Sequence, residues 1–94
     1  MWSDGKIFEV KLRGVPDPDG VMLRLLDLLG PGRGPGYVTV IFAEALPDSV
    51  RLWMEYQEPH GNPSDIRRQL SKVVDGILVA SEVEIRLIAR RRSR

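Results

Sequence analysis

Residues 6–29 read KIFEVKLRGVPDPDGVMLRLLDLL, and the spacing of apolar positions changes once along them. In Lys6 to Arg13, Phe8, Val10 and Leu12 alternate with Glu9, Lys11 and Arg13, the two-residue period of a half-buried strand. Gly14 to Gly20, with two prolines and two glycines, reads as a turn. From Val21 to Leu29 the period becomes helical. Val21, Leu25 and Leu28 form one stripe, Met22 and Leu29 border it, and Arg24 and Asp27 face away. Asp19 is placed to cap this helix, its negative charge suiting the N-terminus, and Gly30 followed by Pro31 ends it.

The same reading extends to the rest of the chain. Tyr37 to Ala43 and Val50 to Tyr56 are strands joined by the turn residues Leu46-Pro47-Asp48-Ser49. A second helix is expected from Asn62, with Pro63 at its first position, Asp65 in its first turn, and Ile66, Leu70, Val73 and Ile77 on one stripe. Val83 to Ala89 alternates again as a last strand. The order strand-helix-strand-strand-helix-strand has few packings once each crossover is right-handed. It predicts an α+β, ferredoxin-like βαββαβ sandwich: a four-stranded antiparallel sheet with two helices on one face. The other face would carry Ile41, Trp53 and Ile88.

At 94 residues the chain makes one domain, drawn here as residues 1–89 with a basic tail at 90–94. A composition of 43% apolar and 29% charged residues excludes a disordered chain. Cysteine is absent, which removes disulfides, thiolate metal sites and cysteine nucleophiles together. The apolar stretches are short and the N-terminus lacks the order of a signal peptide, so a cytoplasmic protein without membrane contact is expected. The net charge of +1 includes four positive charges from Arg90, Arg91, Arg92 and Arg94, so the remainder carries −3. An acidic body with a basic end is not the footprint of a nucleic-acid-binding domain.

Catalysis needs a placed nucleophile, base or metal. The single histidine, His60, falls among turn residues, and one histidine does not make a metal site. Asp17 and Asp19 read first as turn and cap residues, with an acid/base pair or cation site as the alternative, and PGRGPG (residues 31–36) as a connector, with an anion loop round Arg33 as the alternative. RNA binding on this fold uses exposed stacking aromatics on the central strands. The alternation puts Trp53 and Tyr56 on opposite faces and Phe8 inside, so no pair is expected. No catalytic residue, metal or cofactor is assigned.

Two segments bear a family resemblance: Asp17-Pro18-Asp19-Gly20-Val21, and Arg68-Gln69-Leu70-Ser71-Lys72-Val73-Val74-Asp75-Gly76-Ile77-Leu78-Val79. With the element order they resemble the ACT domain, and most the small regulatory subunit of acetolactate (acetohydroxyacid) synthase. There an N-x-x-G-V turn opens the first helix and a Q-L-x-K-L-V-D-V helix leads into the last strand. The resemblance implies a non-catalytic homodimer that activates the catalytic subunit of a thiamine-diphosphate-dependent enzyme of branched-chain amino acid synthesis. It also implies an amino-acid effector site at Asp17, Pro18, Asp19, Gly20, Val21 and Tyr37. The pattern departs from the family at Asp17, where the family has Asn, at Asp19, where Pro is common, and at Tyr37, which aligns with a second Asn. A chain without the second domain of longer regulatory subunits is expected. The short form, with weak or no feedback, is therefore expected; a free-standing ACT-type sensor of amino acids or an interaction module is the alternative. The uncharged edge of Tyr37 to Ala43 suits dimerisation, with Thr39 and Ile41 near the seam.

Overall fold

The structure is a computed structural model and describes residues 4–33, 37–57, 62, 64, 66–68, 70 and 82–91. Strand β1 (Gly5–Arg13) leads into helix α1 (Pro18–Leu29), then strands β2 (Val38–Ala45), β3 (Ser49–Gln57) and β4 (Glu82–Arg91). Between β3 and β4, residues 64, 66–68 and 70 are helical. The amide of Ile66 donates to the carbonyl of Asn62 at 3.0 Å, in keeping with a helix opening at Asn62. His60, Pro63, Asp65, residues 34–36 of PGRGPG, the stripe positions Val73 and Ile77, and Arg92 to Arg94 lie outside the described residues.

The four strands form one antiparallel sheet in the order β2-β3-β1-β4. The protein is thus an α+β sandwich of a four-stranded antiparallel sheet and two helices, compatible with the ferredoxin-like arrangement. β1 and β3 are central; β2 and β4 are the edges. One sheet face is apolar because the period-two residues of all four strands fall into register. Across the sheet, one such row runs Ala43, Leu52, Val10, Ile85 and the next runs Val40, Met54, Phe8, Leu87. The core joins this face to Val21, Leu25 and Leu29 of α1 and to Ile66 and Leu70 of the second helical segment. Phe8 and Tyr56 meet edge to face there, with centroids 6.1 Å apart.

Local details correct the sequence reading. The cap of α1 is Asp17, and Asp19 sits in the first turn. Leu29 is fully in the core while Leu28 is half-buried, a rotation of the stripe by one position. Gly30 does end α1, but with extended backbone (φ −68°, ψ 176°) and its amide on the Leu26 carbonyl. A Cβ there would collide with that carbonyl, so glycine is required by close approach. Beyond the helix end Gly32 takes the left-handed conformation, at φ +78°, as does Gly14 after β1, at φ +70°. β2 runs two residues further than its pattern, to Ala45, and β4 runs to Arg91, so Arg90 and Arg91 pair with Lys6 and Gly5 of β1.

Both edge strands carry a bulge. In β2 the register shifts between Val40 and Phe42, leaving Ile41 as the extra residue; in β4 it shifts opposite Ile7 and Phe8, leaving Ile88 extra. These two isoleucines are exposed, at 42% and 37%. A bulge resets the alternation. Phe42, which the unbroken pattern of Val38 and Val40 would send into the core, therefore joins the open face beside Trp53.

Candidate functional site

The turn between β1 and α1 is built around Asp17. Its side-chain Oδ1 accepts a hydrogen bond from the Gly20 amide at 3.2 Å, and its carbonyl accepts from the Val21 amide at 3.0 Å. Pro18 starts the helix, where a missing N–H costs nothing. The amide of Val15 donates to the Asp48 carbonyl at 3.0 Å, tying the turn to the β2–β3 connection. Gly20 matters for space: a Cβ on it would run into the carboxylate of Asp17. The close approach that glycine permits is thus used by the chain's own Asp17. That carboxylate occupies the ground where exposed helix amides would receive an anion.

The other expected site residues are dispersed. Asp19 is exposed, and Val21 is a core residue at the base of α1 with its side chain out of reach of solvent. Tyr37 sits at the far end of the sheet, where its carbonyl accepts from the Gln57 amide at 2.9 Å. The Asp17 turn lies at the opposite end, beyond Arg13 and Ser49. β3 has nine residues, so these ends are separated by about 25–30 Å. Within one chain the turn and Tyr37 do not meet. Thr39 is half-buried on β2, and Ile41 stands out from the bulge of the same edge. Arg33 of the Gly-rich connector is held against Asp27 at 3.2 Å, which assigns its charge to the end of α1.

The open sheet face carries a network that the alternation pattern missed. Glu9 of β1 receives Trp53 Nε1–H on Oε2 at 3.2 Å and Arg86 Nη2–H on Oε1 at 3.0 Å. Arg51 bonds Glu44 at 2.8 Å, stands 4.0 Å from Glu9, and lays its guanidinium 5.5 Å over the Phe42 ring. Phe42 and Trp53 are 5.0 Å apart. On the central strands Phe8 and Tyr56 are buried, as expected, and the pair that does form joins Trp53 to Phe42 of the edge strand through the β2 bulge. It is not a bare stacking platform, because Arg51 covers Phe42 and the Trp53 N–H is committed to Glu9. Glu55 on this face is buried, and its carboxylate lies against Gly5, where a Cβ would come within 3.2 Å. A shallow depression of about 210 Å³ is lined by Glu9, Lys11, Arg13, Glu84 and Arg86. Its charges alternate, with Arg13 on Glu84 at 3.0 Å.

Among the described residues no group of three or more histidine, cysteine, aspartate or glutamate side chains is arranged to hold a metal ion, and no helix is long and apolar enough to cross a membrane. Comparison with protein-family models, with curated proteins and with solved structures returned no match.

Proposed function

We propose that this chain is a non-catalytic regulatory subunit that binds and activates the catalytic subunit of a thiamine-diphosphate-dependent acetolactate synthase, with weak or no feedback by amino acids. The reading rests on the resemblance at residues 17–21 and 68–79 to the ACT-type small subunit of that enzyme. The strand-helix-strand-strand order of residues 5–57 and the sheet order β2-β3-β1-β4 are compatible with it.

The observation that carries the effector-insensitive part is the seating of Asp17. An incoming amino-acid carboxylate gains about 0.3–1 kcal/mol from an exposed helix N-terminus. Here the Gly20 amide already has a carboxylate partner in Asp17, and Asp19 adds a second negative charge in the first turn. Binding must displace one anion and approach another.

The proposed subunit is a homodimer joined along the β2 edge, with Thr39 and Ile41 near the seam. Antiparallel pairing of two β2 edges brings Tyr37 of one protomer towards the Asp17 turn of its partner. That would make the dispersed residues one composite site, with an amino acid as its natural visitor in effector-sensitive relatives of the same design. Titration of the protein with valine, leucine and isoleucine tests the proposal. No heat of binding at millimolar ligand is expected. Micromolar binding of valine would favour a free-standing amino-acid sensor instead.

A further inference from the structure

The sheet has a second edge, β4, and its sequence is self-complementary. Among the described residues β1 is the only strand that β4 pairs with, and the one further bond to its backbone is from the exposed Arg67 side chain, whose Nη2–H donates to the Val83 carbonyl at 3.3 Å and must give way if another strand pairs there. From Glu82 to Leu87 it is unbroken, because the bulge comes only at Ile88. Glu84 and Arg86 lie on the open face, opposite Lys11 and Glu9 of β1; Val83, Ile85 and Leu87 lie on the helix-covered face, opposite Leu12, Val10 and Phe8. Leu87 is 40% exposed in spite of that position.

Let two such strands pair antiparallel about a two-fold axis through Ile85. Glu84 of each copy then stands opposite Arg86 of the other, giving two reciprocal opposite-charge pairs on the open face. On the other face Val83 stands opposite Leu87, twice, and Ile85 opposite itself. Every pair joins residues of the same face, as antiparallel pairing demands. Shifting the register by one residue sets charged residues against apolar ones on mismatched faces. Arg86 has room for the added contact: its side chain is 72% exposed and its bond to Glu9 uses one terminal nitrogen, while Glu84 uses one oxygen on Arg13.

We propose that β4 is a second self-association edge, pairing with β4 of another copy in this register. A charged edge normally protects against strand addition. Here the order of charges excludes most strands and admits its own copy. With the proposed β2 seam on the opposite edge, each chain has two isologous surfaces, so assembly proceeds beyond a dimer.

Sedimentation velocity on the full chain and four variants tests this. Ile41→Lys disables the β2 seam, and this variant should remain a dimer held by β4. Adding Arg86→Glu converts two opposite-charge pairs into like-charge pairs and should weaken that dimer about tenfold. Glu84→Arg with Arg86→Glu in the Ile41→Lys background restores complementarity across the seam and should recover much of the dimer, the shortfall being the in-chain bonds to Arg13 and Glu9 that the exchange loses. Leu87→Lys, at a position already part-exposed, should weaken it in the same background, and each variant's melting temperature verifies folding. A monomeric Ile41→Lys variant would overturn the β4 proposal and leave the β2 seam standing. A dimer unaffected by both Arg86→Glu and Leu87→Lys would overturn the register. A wild-type dimer indifferent to Ile41→Lys would instead retire the β2 seam.

Discussion

Asp17 and Gly20 are coupled, since the side chain of one fills the space left by the other. Asp17→Ala removes the cap and should lower stability by about 1 kcal/mol. For a domain of this size that is a fall of about 4–8 °C in melting temperature. Asp17→Asn keeps a capping oxygen and should leave stability nearly unchanged while removing a charge. Combined with Asp19→Pro it should improve valine binding measured by calorimetry, if the composite site exists. Gly20→Val crowds the Asp17 carboxylate, and should cost up to as much as Asp17→Ala in the same melt, less if that carboxylate turns aside. The sequence placed two aspartates at this turn but assigned the cap to Asp19. The choice depends on where Pro18 starts the helix, and a proline preceded and followed by aspartate permits either start. The shift of burial from Leu28 to Leu29 has a similar origin: neighbouring leucines leave the stripe ambiguous by one position.

The strands were legible as elements because β1, most of β3 and the start of β4 alternate apolar with polar residues and turn residues bound each run. Their consequences at the edges were not, because a bulge leaves no composition signal in VTVIFAEA or EVEIRLIARR. Phe42 shows the cost. One extra residue at Ile41 moves it to the open face, where it meets Trp53 and Arg51. A double-mutant cycle on Phe42→Ala and Trp53→Ala should return a coupling of about 0.5–1.5 kcal/mol in denaturant unfolding, as aromatic pairs do. Zero coupling would mean that the rings do not meet in solution. β4 offers another check. Arg90 and Arg91 pair with β1 at the strand's end, whereas the pattern of apolar residues stops at Ala89. Deleting residues 90–94 removes two ladder positions, those of Arg90 and Arg91. The expected outcome is a folded protein with a melting temperature lowered by a few degrees; loss of folding would show that the end anchors the sheet.

At the scale of the molecule, the element order limited the topology because right-handed crossovers and an antiparallel sheet leave few alternatives for βαββαβ. The sheet order β2-β3-β1-β4 and the edge position of β2 follow from that logic. The site was less legible. Residues 17–21 and Tyr37 are joined by resemblance, yet the sheet holds them at opposite ends of one chain, and the proposed β2 dimer is what would reunite them. The proposed function depends on partners, and partner choice is written in edges and loops rather than in the core that periodicity reveals. The most direct test adds the purified chain to the purified acetolactate synthase catalytic subunit of the same cell and follows product formation with and without valine. The account predicts a saturable rise in rate, co-migration of the two chains on a sizing column, and no change on adding valine; an unaltered rate with no co-migration would contradict it.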